Sequence, residues 1–498
     1  VWDKMRPGMV LLTVVVFFLC VGILTPKEML EGFSNKGMIT VAMLFLVSEG
    51  VRQSGALGQL IKKLLPEGKT TVFKAQARML PPVAFVSAFL NNTPVVVIFA
   101  PIIKRWAEAV RLPATKFLIP LSYVTILGGI CTLIGTSTNL VVHGMILEAG
   151  FEGFSMFELG KVGIFIAIAG IIYIFLFSKR LLPDARPDTA VPDEEVEEGE
   201  KLHRVEAVLG ARFPGINKKL KDFNFQRHYG AEVKEIKTRN GQRFVTNLDD
   251  VVLHEGDTLV VMADDTFIPT WGESSVFVLL TNGNEPDTSG KKKRWFALLL
   301  LVLMIVGATV GELPVTKEMF PDIKLDMFFF VSITTIIMAW TNLFPARKYT
   351  KYISWDILIT IACAFAISKA MVNSGVADSV AKFIIGLSDD YGPHVLLAMV
   401  FIITNLFTEL ITNNAAAALA FPLALSISAQ LGVSPTPFFV VICMAASASF
   451  STPIGYQTNL IVQGIGNYKF TDFVRIGLPL NIITFLISVI LIPLIWNF

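Results

Sequence analysis

Charged side chains are scarce in this chain of 498 residues, because Asp, Glu, Lys and Arg make up only 16% of it while 53% is hydrophobic. Soluble domains carry roughly a quarter charged residues, so the composition predicts an integral membrane protein. The formal net charge of +2 is close to zero, and the sequence has no basic stripe with interleaved aromatic residues. The composition therefore argues against nucleic acid as a partner.

Cysteine and histidine are also few. The four cysteines lie in separate apolar runs without paired spacing, and the five histidines form no cluster. A disulfide framework or a zinc site needs such residues in pairs or clusters, so the sequence predicts neither. It also contains no nucleophile–base constellation, and we expect no catalytic residue.

Apolar runs long enough to cross a bilayer, or to form broken spans, recur along the chain. Shorter runs lie at roughly 8–24, 34–51, 117–147, 158–178, 295–311, 327–343, 353–372 and 474–496. Two longer regions, about 75–107 and 393–431, carry asparagine pairs near their centres, and a broken span covers about 435–466. Each longer region is typical of a helix followed by a hairpin that enters and leaves on one side. The sequence predicts an all-α polytopic membrane protein with two re-entrant helical hairpins.

The asparagine pairs belong to a longer internal similarity. Asn414 follows Asn92 by 322 residues, and Asn459 follows Asn139 by 320. With five crossings in each half, the halves must sit upside down relative to each other, as inverted structural repeats. We expect a first transmembrane repeat in 1–182 and a second in 293–498. The run at 295–311 has no partner in the first half, so at least one more spanning helix is predicted before Val1.

Positive charges indicate the orientation of these spans. Lysine and arginine fall in loops on one side, for example Lys62, Arg78, Arg111 and the run 291–294. Loops rich in these residues are usually cytoplasmic. We therefore expect a multi-pass protein of the plasma (inner) membrane.

Residues 183–292, between the halves, differ in character from the rest. The acidic, proline-containing part at 184–201 is typical of a linker, and the remainder is predicted to form a small cytoplasmic α+β domain. The predicted elements are strands at Val205–Leu209, Ala231–Thr238 and Thr258–Met262, a helix at Ile216–Phe225 and a turn at Asn240-Gly241. The stretch 251–259 resembles the end of a TrkA-C (RCK C-terminal) domain. That resemblance implies dimerisation or ligand sensing, and a passive spacer is the alternative.

The interrupted segments contain no Asp, Glu, Lys or Arg from Met79 to Ile103, from Phe117 to Leu147 or from Leu410 to Tyr468. Unwound carbonyls and asparagine oxygens suit a cation such as Na⁺, whereas helix N-termini with free N–H groups favour an anion. Each dipole end supplies only about half a charge. Bound Na⁺ is therefore expected to neutralise the anion, and the two should bind interdependently.

The duplicated hairpin, the tripeptide Asn91-Asn92-Thr93 and the Gly-Thr-x-x-Asn break at 135–139 resemble the divalent anion/sodium symporters of the ion transporter superfamily. This resemblance covers 8–181 and 293–498 and implies homodimeric, Na⁺-coupled symport by alternating access. The implied substrate contacts are Asn92, Thr93, Asn413, Asn414, Ser137 and Thr138. The implied ligands are Ser87, Asn91, Asn92 and Gly135 for the first Na⁺, and Thr412, Asn414 and Thr452 for the second.

Glu409 lies one turn before the second hairpin tip. Its position allows it to ligate the second Na⁺, to carry a proton, or to pair within the helix bundle.

The chain departs from the family motif at several positions. Asn91 and Asn413 replace serines, and Ala415 replaces a threonine, which removes a hydroxyl from the anion site. A small tetrahedral anion fits this change better than a dicarboxylate, and the TrkA-C resemblance points to the sulfate-type branch. Sulfate is the expected substrate. The alternatives are a dicarboxylate transporter or exchanger and a channel gated by the TrkA-C unit, although no selectivity-filter loop is visible.

Overall fold

The computed structural model describes residues 7–66, 68–184, 203–210, 213–238, 242–264, 267, 271, 276–281, 290–320, 323–386 and 392–498. Most of the predicted linker and the predicted turn at Asn240-Gly241 lie outside these ranges. The described part of the chain is mostly helical.

Among the described residues, nine α-helices precede a small sheet. They are α1 (Pro7–Cys20), α2 (Pro26–Glu31), α3 (Lys36–Gln53), α4 (Ala56–Leu64), α5 (Val72–Ser87), α6 (Asn92–Ala109), α7 (Leu118–Gly129), α8 (Ser137–Glu148) and α9 (Gly160–Leu181). Several of these starts are fixed by ordinary caps. The Asn35 side chain, for example, accepts a hydrogen bond from the Gly37 N–H and so satisfies one free donor of α3.

Helices of the second half follow the sheet. They are α11 (Lys291–Gly311), α12 (Pro314–Met319), α13 (Met327–Trp340), α14 (Tyr349–Tyr352), α15 (Trp355–Asn373), α16 (Val376–Gly386), α17 (Gly392–Leu410), α18 (Asn413–Leu431), α19 (Thr436–Ser447), α20 (Gln457–Gly466) and α21 (Phe470–Ile495), with α10 (Phe225–Tyr229) inside the sheet region. The chain leaves the helix between α7 and α8 and again between α19 and α20.

Within the described ranges, seven helical stretches are long and apolar enough to cross a membrane. They are Pro26–Gln53, Gly160–Leu181, Lys291–Gly311, Trp355–Asn373, Gly392–Leu410, Asn413–Leu431 and Phe470–Ile495. Many of their apolar side chains are exposed, such as Leu299, Val302 and Val306 along one face of α11. Lipid is the natural solvent for such faces, so the chain is a polytopic membrane protein.

The sheet has five antiparallel strands in the order β3-β2-β4-β1-β5. The strands are β1 (His203–Leu209), β2 (Glu232–Lys237), β3 (Arg243–Phe244), β4 (Thr258–Ala263) and β5 (Phe277–Thr281). All three predicted strands are present. Leu209, Ile236, Leu259 and Val261 lie in a separate apolar core under this sheet.

The helix predicted at Ile216–Phe225 is wrong. A short 3₁₀ turn covers Leu220–Asp222, and α10 begins only at Phe225. Asn217 takes the left-handed conformation at φ 61°, which interrupts a helix, and its N–H donates to the Leu253 carbonyl instead. The segment is thus held by residues 251–253 rather than by its own backbone.

The sheet packs against two membrane-domain helices, α6 and α20. The Lys104 ammonium of α6 lies 2.8 Å from the Glu206 carboxylate of β1. A Cβ at Gly464 of α20 would lie 2.8 Å from the Thr258 hydroxyl of β4, so backbone and sheet approach closely there. The sheet therefore touches the two helices whose opposite ends form the site described next.

Candidate functional site

Four helices begin at the interrupted segments: α6 at Asn92, α8 at Ser137, α18 at Asn413 and α20 at Gln457. None of their N-cap residues accepts a capping hydrogen bond through its side chain, unlike the caps of α2, α3 and α5. The first N–H groups of a helix have no partner within it. Four sets of backbone donors are therefore left without side-chain caps.

Contacts between the halves bring these helix starts together in pairs. The Asn92 amide Nδ2 of α6 donates to the Tyr456 hydroxyl at 2.6 Å, and the same hydroxyl lies 3.0 Å from Thr136 Oγ1. Thr93 Oγ1 donates to Gln457 Oε1 at 3.4 Å. The start of α6 therefore faces the starts of α8 and α20.

The second hairpin makes the corresponding contacts to α8. Asn414 Oδ1 accepts hydrogen bonds from Ser137 Oγ at 3.3 Å and Thr138 Oγ1 at 3.0 Å. Tyr456 also hydrogen-bonds the Asn413 side chain. One phenol thus connects both asparagine tips, and all six residues predicted to contact the substrate lie in one hydrogen-bonded region.

Both breaks are braced by an asparagine in the same way. Asn139 Nδ2 donates to the Thr132 carbonyl at 2.9 Å, and Asn459 Nδ2 donates to the Thr452 carbonyl at 3.1 Å. Each of these threonines also hydrogen-bonds the carbonyl that precedes its hairpin tip, that of Ala88 or Glu409. The unwound backbone is therefore held by a repeated set of side chains.

In the structure, equivalent positions of the two hairpins are one residue closer in sequence than the 322 residues between Asn92 and Asn414. Ser87 Oγ donates to Asn92 Oδ1 at 2.8 Å, and Thr408 Oγ1 donates to Asn413 Oδ1 at 2.8 Å. The counterpart of Asn92 is therefore Asn413, and Asn414 corresponds to Thr93. The pairing of Asn92 with Asn414 was wrong. Both tips contain consecutive polar residues, so the sequence alone allows two alignments of the tips that differ by one residue.

Oxygen atoms converge at three of the four residues predicted for the first Na⁺. Asn92 Oδ1 lies beside Ser87 and close to Gly129, where a Cβ would approach it to 2.7 Å. A Cβ at Gly135 would lie 2.5 Å from the Gly129 carbonyl oxygen and 2.9 Å from that of Ala88. Only glycine lets these carbonyls come so near, and hard oxygens of this kind suit Na⁺.

Asn91 is placed differently from its neighbour. Its side chain lines a small cleft with Ser48, Phe89 and Ser137, between α3 and α8. Asn91 therefore lies near Ser137 at the start of α8.

The four residues predicted for the second Na⁺ do not converge in the same manner. Asn414 faces α8, while Thr412 Oγ1 is buried and has no hydrogen-bond partner among the described residues. Thr452 binds the backbone carbonyl of Glu409, whose carboxylate instead accepts from the Ser451 N–H and from Asn481. The Glu409 side chain extends toward α21, because the chain turns into the 448–456 break beside it.

The true counterparts of the first set are Thr408, Asn413 and Gly455. Thr408 and Gly455 were missed by the sequence reasoning. An available signal was the spacing, since Thr408 precedes Asn413 by five residues just as Ser87 precedes Asn92. Gln457 and Asn481 carry no comparable signal.

The electrostatics of this region come from dipoles rather than from fixed charges. Among the described residues, no group of three or more His, Cys, Asp or Glu side chains could hold a metal ion. The contacts at the four helix starts involve amides, hydroxyls and one phenol. Such a set can accept Na⁺ on its oxygens and an anion on its N–H groups.

Comparison with known proteins adds independent information. The model of the citrate transporter family matches residues 1–428 and, again, residues 323–498. An uncharacterized transporter of Synechocystis is 30% identical over 97% of this chain and 93% of its own length. A Chlamydomonas reinhardtii protein named "Probable sodium/sulfate cotransporter 3" is 23% identical over 92% of this chain and 82% of its own. The sodium/sulfate cotransporter 2 of the same alga is 31% identical over 56% of this chain and 31% of its own.

Proposed function

The chain belongs to the citrate transporter family, and from that premise we propose that it is a Na⁺-coupled symporter of a divalent anion, preferentially sulfate. The observation that carries the proposal is the meeting of four side-chain-uncapped helix N-termini in a region without lysine or arginine. Relatives named as sodium/sulfate cotransporters support the choice of ion and anion.

Coupling follows from the charge balance of such a site. Helix N-termini attract an anion, but each contributes only about half a unit charge. Na⁺ held by the oxygens near Asn92 and Asn413 supplies the remaining positive charge at short range, where the interaction is strong. Neither the anion nor Na⁺ binds stably alone. Each therefore raises the affinity of the site for the other by the same factor.

Tyr456 favours a compact anion. Its hydroxyl lies between Asn92 and Asn413, and its ring is buried to all but 8% of its surface. The first half has only Thr136 at the equivalent break. A sulfate, with four oxygens around one centre, needs less room than a dicarboxylate with two separated charges.

We propose the transport cycle and assembly from the repeat and the family resemblance. Residues 1–182 and 293–498 form two inverted repeats in the plasma (inner) membrane, with residues 183–292 on the cytoplasmic side. A homodimer transports by alternating access, as the hairpin tips move against a scaffold. The sheet region, with its TrkA-C-like stretch at 251–259, serves as a dimerisation or sensing module.

A carboxylate carrier is the second candidate, and the family description as citrate transporter favours it. Carboxylates and sulfate share the requirement for N–H donors and Na⁺. They differ in size, so competition separates the two functions.

Labelled sulfate uptake into proteoliposomes tests the proposal. An inward Na⁺ gradient should drive sulfate accumulation, an equal K⁺ gradient should not, and excess succinate or citrate should compete weakly. Strong uptake of labelled succinate or citrate with no sulfate uptake would transfer the assignment to the carboxylate carrier. Na⁺-independent accumulation of any of these anions would contradict the coupling.

A further inference from the structure

Glu409 is a carboxylate at the end of α17 whose two oxygens have different surroundings. Oε1 accepts from the Ser451 N–H at 2.9 Å and from Asn481 Nδ2 at 2.7 Å. Oε2 is buried and has no partner in the described part of the molecule. The carboxylate is thus only half satisfied.

Asn481 of α21 shows the same pattern. Its Nδ2 donates to Glu409 Oε1 and to Ser451 Oγ at 2.9 Å, while its Oδ1 is buried and accepts no hydrogen bond from any residue that the structure describes. Only 6% of the Asn481 surface is exposed. Two joined side chains therefore each present one unpartnered acceptor oxygen.

An ionised carboxylate and an amide oxygen can only accept hydrogen bonds, so neither satisfies the other. Leaving such groups buried and unpaired is costly. Na⁺ bound by Glu409 Oε2 and Asn481 Oδ1 would remove both deficits, because carboxylate and amide oxygens are hard ligands that suit it.

The first half has no equivalent of this pair. Thr132 and Thr452 bind the carbonyls of Ala88 and Glu409 in the same way, so a methyl group occupies the matching position. Glu409 directly follows Thr408, which donates to Asn413 Oδ1, so the pair lies beside the second hairpin tip. It is linked to the transport region through the Glu409 carbonyl, which braces the second break.

We propose that Glu409, Asn481 and Ser451 form a site for one further Na⁺, in addition to the Na⁺ proposed at the hairpin tips. The inference rests on the proposed transport function for its role in coupling, although the binding itself does not. Tyr123 of α7 is the described titratable group that faces Glu409, and its hydroxyl donates to the Phe450 carbonyl. No lysine or arginine in the described ranges pairs with this carboxylate.

Purified wild-type protein in detergent tests binding without any anion substrate. Added NaCl should raise the thermal unfolding temperature with a steeper concentration dependence in wild type than in E409Q.

Matched variants sharpen the outcome. Glu152→Gln makes the same substitution at an exposed glutamate and should behave as wild type. Asn481→Ser keeps the carboxylate but removes the amide oxygen, so it should weaken the Na⁺ dependence and gives a second test if E409Q does not fold. A Na⁺ dependence equal in wild type, E409Q and Asn481→Ser would overturn the proposal. Failure of sulfate uptake alone would overturn only the transport assignment.

Discussion

The two interrupted regions of the molecule share a set of side-chain hydrogen bonds that holds their backbone. They differ in the other side chains around that set. Ser87 and Thr408 both bind the first helical asparagine of their hairpin, and Asn139 and Asn459 both brace a break. Such repeated contacts hold unwound backbone where water cannot satisfy it. The hydrogen bonds common to both regions therefore stabilise the breaks. The side chains present in only one region are the ones that can set selectivity and coupling.

Three positions depart from the repeat. Tyr456 stands opposite Thr136, and Glu409 stands opposite Ala88. Asn459 Oδ1 accepts from Ser122, whereas Asn139 Oδ1 is buried and has no partner within the described ranges. The second region is thus bulkier, carries a carboxylate and is more fully hydrogen-bonded.

The largest effect is expected at the two equivalent asparagines. Asn92→Ala and Asn413→Ala should each lower Na⁺-driven sulfate uptake by about 100-fold, because each loses a hydrogen bond to a charged guest worth up to about 3 kcal/mol. Initial uptake rates in proteoliposomes measure this. Asn91→Ala is the control and should lose far less, since the Asn91 side chain makes no capping hydrogen bond at the start of α6. Equal losses for Asn91 and Asn92 variants would undo the assigned register.

The next effect is expected at the position where the halves differ in size. Tyr456→Phe removes the hydroxyl that joins the tips and should weaken sulfate affinity by about tenfold, or about 1.4 kcal/mol. Tyr456→Thr copies the first half and opens space, so succinate should compete better than in wild type. Half-inhibitory succinate concentrations provide the measurement. Unchanged competition would mean that the phenol does not limit anion size.

A third effect concerns the ion pairs where the sheet contacts the membrane domain. Burial alone would raise the pKa of Glu206, but the ammonium groups of Lys104 and Lys237 outweigh it and lower that pKa to about 2 from 4.5. The ion pairs should therefore stabilise the protein fully above about pH 4.5, and this contribution should fade as the pH falls toward 2.

Glu206→Gln tests how much these ion pairs stabilise the protein. It removes the carboxylate that the ammonium groups of Lys104 and Lys237 share and should cost on the order of 3 kcal/mol at pH 7. Thermal unfolding in detergent, followed from pH 7 to pH 3, should show a difference from wild type that shrinks below about pH 4.5, where Glu206 binds a proton in the unfolded chain but not yet in the folded protein. Glu232→Gln, at an exposed carboxylate of β2, is the matched control. A pH-independent difference would assign the loss to packing instead.

The smallest effect is expected where hydrogen bonding distinguishes the breaks. Ser122→Ala would leave Asn459 Oδ1 without that donor, as Asn139 Oδ1 already is, at a cost of about 1 kcal/mol. The unfolding temperature of the purified protein should fall slightly, with little change in uptake. A large loss of uptake would show that Ser122 acts on transport and not only on the break.

Much of the fold follows from patterns that chemistry makes visible. Polar interruptions of apolar runs mark α6 and α18, and alternating residues mark β1, β2 and β4. The alignment of the two hairpin tips was harder to predict from the sequence. Each tip contains two adjacent asparagines, so only the contacts of Ser87 and Thr408 show which asparagines are equivalent.

Contacts between distant segments were the least predictable part of the site. Glu409 lies in sequence beside the second tip, yet its carboxylate reaches Asn481, 72 residues further along the chain. Asn217 ends a predicted helix by adopting the left-handed conformation, which no periodicity reveals. In both places, tertiary hydrogen bonds override what the local sequence favours.

The most direct test measures equilibrium binding of labelled sulfate to the purified protein in NaCl and in KCl of equal ionic strength. An anion held by helix ends and bound Na⁺ requires saturable binding in NaCl, little in KCl, and loss of the Na⁺ response in Asn92→Ala. Equal sulfate affinity in the two salts would contradict this account.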